Sequence, residues 1–335
     1  MDERTRTRAY FYWKNKSGRA AGDPLSDWAE AVADEAFLGS LPGRQRWQHT
    51  VVDQNKLRDT TLLQPSKGPF LIPDVALAEL FKGTSWQYVA ERSLKLLAQD
   101  PTSVDVAWSV GHVFRQEMAS GELGDLVDSL ATDAFRDFLL KVKASPARAF
   151  NEYSTRIQSG RHLASTQHFD GPRNKQLVVN VREAWLQELK PDEVRALRQP
   201  GGFESDLARR LLSDDNMLKT IKLMLVNAGY QDGRANALAY FPSFTGAHCL
   251  GLVALALQWI ARGGLDATTS DAVLTNDIAD LDYVVFSLFC ADYATTEKRM
   301  LTLRDVLCRA LGSLWTRNAE HLLIAHKASV RQGTA

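Results

Sequence analysis

The segment 276-NDIADLDYVVFSLFCADYATTEKRM-300 constrains the fold more than any other stretch of this chain. Asp277, Asp280 and Asp282 crowd together directly before Tyr283 to Cys290, a run that is almost wholly apolar. Such a run belongs in a core, so the acids at its mouth border a buried element. Asp277 and Asp280 are three residues apart and share one face of the helix they are expected to begin near Asn276. Asp282 points elsewhere and reads as a surface charge. Asp292 reads as a cap or a turn into a last strand through 292-DYATT-296, after which a helix is expected from about Leu303.

The rest of the chain supplies partners for this element. Thr50, Val51 and Val52 form a short β-prone run that stops at Asp53, and 70-FLIP-73 forms a second. The second leads into a helix over 73–83, with Pro73 suited to its first position. Strand, loop, strand, helix opens an α/β unit. From about Thr84 to Tyr230 the spacing turns helical, over 85–98, 103–119, 124–142, 146–158 and 204–228. Residues 168–176 read as a loop before the β-prone 177-LVVNV-181. A buried helix is predicted over 243–264, capped by Ser243 and stopped by Gly263-Gly264, while 318–328 suits helix or strand. The expected fold class is α/β, a small parallel sheet flanked by helices, with a mainly helical insertion. The expected organisation is an N-terminal arm and helix (1–43, the helix over 24–41), a core formed by 44–98 and 229–315, the insertion at 99–228, and a C-terminal segment at 316–335.

Composition narrows the function classes. With 335 residues, 45% hydrophobic, the chain can bury a full core. Lys+Arg and Asp+Glu balance at 40 each, so any polyanion surface must be local. One candidate is 4-RTRTRAYFYWKNKSGR-19, where Arg4, Arg6, Arg8, Lys14 and Lys16 surround four aromatics. It reads either as an arm that stacks on bases and neutralises phosphates or as an edge strand with a basic rim. Cys249, Cys290 and Cys308 form no CxxC pair and read as reduced buried thiols. The apolar stretch 249–261 is shorter than a membrane span, and the charged N-terminus contains no signal-peptide core, so the expectation is a soluble cytoplasmic protein with no membrane partner. GxxxxGK[ST], GxGxxG, GxSxG and HExxH are all absent.

What remains is carboxylates near the ends of β-prone runs. Asp53 closes the first run, Glu79 lies in the helix after the second, Asp277 and Asp280 precede the last, and Asp292 and Glu297 flank it. In a parallel sheet such groups can converge on one edge, where they suit Mg²⁺ or Mn²⁺, hard cations that prefer oxygen ligands. Taken singly, Asp277 also reads as a helix cap and Glu79 as a solvated helix residue.

In series, 51-VVDQNKL-57, 72-IPDVALAEL-80 and 276–300 resemble the PIN-domain nucleases. The shared features are an Asp-x-Asn at the end of the first strand, a glutamate in the next helix, an Asp opening a buried helix, and a strand ending in Thr plus an acid. The resemblance covers about 44–98 and 229–315. It implies that Asp53, Glu79, Asp280 and Glu297 hold Mg²⁺ or Mn²⁺, that Asn55 and Asp277 assist or orient water, and that Thr295 or Thr296 hydrogen-bonds in the same pocket. The family usually carries Asp at the last acid, and here Lys298 or Thr296 competes with Glu297 for that column. The implied activity is phosphodiester hydrolysis, as an endoribonuclease of the kind used by toxins and defence effectors. The expected partners are RNA ahead of DNA, a protein docked on the helical insertion, and a second copy of the chain as a homodimer. The competing reading is a catalytically weak PIN-like scaffold that binds RNA or a protein. A metal-dependent phosphatase of another α/β fold is disfavoured because no nucleophile motif follows Asp53.

Overall fold

The computed structural model of the chain describes residues 47–58, 69–82, 84–159, 171–213, 215–231, 243–263 and 271–333, with isolated positions elsewhere. The elements in chain order are β1 (Trp47–Val52), α1 (Gln54–Leu57), β2 (Phe70–Ile72), α2 (Asp74–Phe81), α3 (Trp86–Leu97), β3 (Val104–Val106), α4 (Val110–Ser120), α5 (Ser129–Ala144) and α6 (Pro146–Glu152). They continue with α7 (Gly171–Glu188), α8 (Pro191–Leu197), α9 (Asp206–Ser213), α10 (Asp215–Asn227), α11 (Phe244–Ala261), α12 (Asp271–Phe289), β4 (Cys290–Ala294) and α13 (Lys298–Gly333). The chain is mostly helical around a four-stranded sheet of order β3-β2-β1-β4, and every pairing is parallel. It is an α/β fold.

The strand order places the site. From β1 the chain steps outward to β2 and β3, and it returns to the other side of β1 only with β4. The order therefore reverses between β1 and β4. Open parallel sheets bind ligands outside the carboxyl ends of their strands at such a switch point. Asp53 leaves β1 there, and its N–H donates to the Ala294 carbonyl at 3.0 Å, which carries the β1–β4 ladder one residue past the strand.

Three strand readings change. β3 lies inside the window 103–119 taken as helix and inside the segment 99–228 taken as an insertion, yet Phe70, Leu71 and Ile72 pair with its three residues. A three-residue strand is too short to show alternation of its own. It is fixed by its neighbours: Asp105 lies 2.8 Å from His49 Nε2 of β1 and accepts from Arg136 of α5, also at 2.8 Å. In contrast, 177-LVVNV-181 is helical, as part of α7, and the loop expected over 168–176 has become helix from Gly171 onward. α7 packs on α11 and α12, and that packing overrides the β preference of the valines. The last strand is Cys290–Ala294, earlier than the predicted 292–296.

Helix boundaries shift as well. Pro73 is the N-cap of α2, one position before the first helical residue. α12 begins at Asp271, not near Asn276, so Asp277 and Asp280 fall in its second and third turns. α13 starts at Lys298 rather than about Leu303. It takes in 318–328 as helix and runs through most of the segment 316–335. Of the segment 24–41, Ala29, residues 31–34 and Ala36 are described and helical, and Asp34 accepts from Lys327 of α13 at 2.7 Å. The arm residues Arg4, Arg6, Arg8, Lys14 and Lys16 lie outside the described residues.

One hydrophobic cluster joins the sheet, α2, α3, α11, α12 and helices within 99–228, including Phe138, Phe150, Trp185 and Leu225. α11 forms its centre. At 18 residues it is long and apolar enough to cross a membrane, which the shorter stretch 249–261 is not, yet 83% of it is buried by the protein's own elements. Ser243 caps it as predicted, accepting from Gly246 N at 2.9 Å. α11 and α12 run antiparallel: Phe244 packs on Phe286, His248 pairs with Asp282, and Trp259 reaches Asp277. The two helices approach closely at Gly251, where a Cβ would come within 2.6 Å of Leu281 Cδ1.

Candidate metal centre

Asp53 is the anchor of the site. It N-caps the single turn of α1, accepting from Asn55 N at 2.9 Å through Oδ1, while its Oδ2 accepts from Thr295 Oγ1 at 2.6 Å. Both bonds follow from Asp53 ending β1 beside the end of β4. Thr295 is thus the hydroxyl that the pocket uses; Thr296 is exposed.

Glu297 faces the same pocket, and the competing positions Thr296 and Lys298 are exposed. Its N–H donates to Thr295 Oγ1 at 3.0 Å, its carbonyl accepts from Met300 N at 3.0 Å at the start of α13, and its Oε1 accepts from Asn55 Nδ2 at 2.9 Å. Asn55 and Glu297, 242 positions apart, therefore orient each other. Glu79 is not a solvated helix residue: Tyr283 Oη donates to its Oε2 at 2.8 Å and Lys82 Nζ to its Oε1 at 3.2 Å.

Asp277 is buried, and its Oδ2 accepts from the Trp259 indole at 2.9 Å. Its place in the second turn removes the helix-cap reading, because cap and dipole effects are confined to the first turn. Arg299 forms a short ion pair with Asp277 Oδ1 and donates to Asp280 Oδ2 at 3.1 Å, which puts both acids on one face of α12 as the spacing predicts. Asp282 is a correction. It is 7% exposed rather than solvated, and its Oδ1 lies 3.1 Å from His248 Nε2, because α11 lies along this part of α12.

The electrostatics tie four segments together. Burial pushes Asp53 up from its ordinary 3.8 to about 6, against the hydrogen bonds from Thr295 and Asn55, and the charges of Glu79 and Glu297 add to the rise. Burial pushes Asp280 up to about 8, with Glu297, Glu79 and Asp53 raising it further and Arg299 opposing. The charges of Glu79 and Glu297 thus reach both Asp53 and Asp280, and that of Asp53 reaches Asp280. Tyr293 Oη lies in their field. It is buried, and the Thr295 hydroxyl, which donates to Asp53, is its hydrogen-bonding neighbour.

The donor set suits a hard cation in chemistry, carboxylate oxygens with an amide beside them. Its spacing is open. Among the described residues no three His, Cys, Asp or Glu side chains form a group that could hold one ion as they stand, and Arg299 lies among three of the acids. Sequence reasoning missed Arg299, Tyr283 and Trp259. The sequence carried no signal for Arg299, because the helix that holds it in its first turn was expected to begin only near Leu303. Cys249, Cys290 and Cys308 form no disulfide, and burial lifts the Cys249 and Cys290 thiols to about 12, far from nucleophilic use.

The raised carboxyl values fix a sign for stability against pH. In the folded protein Asp280 keeps its proton to about pH 8 and Asp53 to about 6, while their ordinary value is 3.8. Their contribution is therefore full below about pH 4 and is lost as pH rises through 6 and then 8, at up to about 1.4 kcal/mol per pH unit per group. In EDTA, urea denaturation from pH 5 to 9 is expected to show stability falling, with a shallower fall in Asp280→Asn. Identical slopes in the two proteins would show that Asp280 is not strained.

Compared with protein-family models, curated proteins and solved structures, the chain matches none.

Proposed function

We infer that the acid cluster is the Mg²⁺ or Mn²⁺ site of a PIN-like nuclease hydrolysing phosphodiester bonds, most simply as an endoribonuclease. The observation that carries the reading is the convergence of Asp53, Glu79, Asp280 and Glu297, from four separate segments, at the switch point of a parallel sheet, close enough for the other acids to raise Asp53 and Asp280. A structural role would not need four acids in one desolvated place, since each raises the cost of ionising the next. The choice of RNA over DNA rests on the family resemblance.

The four acids would hold the ion. Bound there, a divalent cation supplies charge neutralisation at the phosphodiester and an acidified water. The chain's own part is positioning. Thr295 and the Asn55 amide fix Asp53, Asn55 aims Glu297, and Tyr283 with Lys82 aims Glu79. Trp259 holds Asp277 behind them. Asp280 must give up its proton for the site to load, which favours loading at alkaline pH.

A second reading, a PIN-like scaffold with little catalysis that binds RNA or a protein partner, is favoured by Arg299, which already neutralises part of the cluster. A mixed panel of labelled RNA and single-stranded DNA, incubated at pH 8 with Mn²⁺ and with EDTA, separates the two. Cleavage in Mn²⁺ that EDTA abolishes is the expected result. Binding of the panel without cleavage in either condition would favour the scaffold.

A further inference from the structure

Arg299 is held by a graded set of contacts. Nη1 is paired with Asp277 Oδ1, and that buried carboxylate is itself locked through its other oxygen by the Trp259 indole at 2.9 Å. Nη2 is shared less tightly, 3.1 Å from Asp280 Oδ2 and 3.6 Å from Glu297 Oε2. The side chain is 21% exposed. The guanidinium thus has one firm anchor on an acid at the back of the cluster, and one loose donor on two of the four acids that face the pocket. Nothing in the helix calls for it there, because a cation in the first turn of α13 meets the positive end of the dipole. The acids hold it in place.

We propose that Arg299 is a resident counter-cation of this site. A divalent ion loads only by taking Asp280 and Glu297 from its Nη2, while Nη1 stays on Asp277. The inference rests on the metal reading above. The two cations use the same carboxylate oxygens, so the free energy of the Nη2 contacts is subtracted from that of metal binding, and each weakens the other by the same factor. Arg299 thereby sets the cation concentration at which the site fills. It also stabilises the empty site, since acids left unpaired in a desolvated pocket would repel one another. Lysine is not equivalent, because it has a single nitrogen and cannot keep one on Asp277 while another leaves Asp280.

The test is Mn²⁺ titration by calorimetry of the full chain as wild type, Arg299→Gln, Arg299→Met and Asp280→Asn. Removing one nearby positive charge is expected to tighten Mn²⁺ binding by about tenfold or more in both Arg299 variants, with most of the gain lost at high salt if screening reaches the pocket. Wild type binding that is lost in Asp280→Asn but equal or weaker in the Arg299 variants would overturn the inference and leave the metal site standing, with Arg299 merely shaping it. No binding in wild type or in either Arg299 variant would overturn both. Should the variants fail to fold, the wild type still decides. On addition of Mg²⁺, the side-chain nitrogen signals of Arg299 in an NMR spectrum are expected to show one nitrogen released and the other retained. Bound Mg²⁺ with unaltered Arg299 signals would refute the proposal.

Discussion

Asp280→Asn in the presence of Mn²⁺ at pH 8 is expected to cleave RNA at least about a thousandfold more slowly than wild type, with a similar loss in Asp53→Asn. A catalytic metal supplies several kcal/mol of transition-state stabilisation, and each 1.36 kcal/mol is about tenfold in rate. Asparagine keeps the shape of either side chain and much of its hydrogen bonding, so lost rate is not lost fold. The stability of Asp280→Asn in EDTA makes the distinction sharper. Wild type Asp280 is protonated to about pH 8 because burial and three neighbouring acids disfavour its charge, so the amide removes a strained group and should leave the protein at least as stable at pH 8. Asp282→Asn cannot serve as the neutral control, because Asp282 is buried against His248. Glu91→Gln, on the exposed side of α3, can. Full cleavage by Asp280→Asn would end the site assignment, and a stability loss without a rate loss would mean that Asp280 serves the fold.

The parts of this site that were legible in the sequence are those set by strand ends. Asp53 follows a β-branched run and Glu297 follows the predicted last strand, with Thr295 near its end, so a parallel sheet brings them together wherever the helices lie. Asp277 and Asp280 were legible through helical spacing, although the helix they occupy starts earlier than the acids suggested. What was not legible depends on which side of an element meets another. Asp282 reads as a surface charge until α11 is laid along α12. Tyr283 and Trp259 read as core aromatics until their polar ends find Glu79 and Asp277. β3 carries three residues and no pattern of its own, so only its register with β2 identifies it. Arg299 was hidden for a different reason: in a sequence it looks like one more charge near a helix, and its meaning lies in the three acids it joins across two elements.

The same central helix that holds Trp259 against Asp277 depends at its other end on one buried acid, and removing that acid should cost the fold more than any other single change discussed. Glu117 of α4 is fully buried. Its Oε1 accepts from Phe244 N at 2.7 Å, and its Oε2 from Thr245 N at 2.8 Å and Thr245 Oγ1 at 2.5 Å. With Ser243 taking Gly246 N, the first three N–H groups of α11 are satisfied in a place that no water reaches. A negative group there also meets the positive end of the helix dipole. Burial pushes the Glu117 carboxyl upward and those donated hydrogen bonds hold it down. Glu117→Ala would leave two buried N–H groups without an acceptor, at about 1–3 kcal/mol each, and open a cavity besides. A total of roughly 3–5 kcal/mol is expected in urea denaturation, a large part of the 5–15 kcal/mol typical of a folded protein. Glu117→Gln should fall between, since its amide presents a donor where a second acceptor is needed. Phe244 and Trp259 are 15 residues apart, about 22 Å along the helix at 1.5 Å per residue, so the cap and the acid cluster are distant. If Glu117→Gln folds, its Mn²⁺ stabilisation should match that of wild type, because distant sites add independently. A loss below about 1 kcal/mol in Glu117→Ala would show that α11 finds its caps elsewhere.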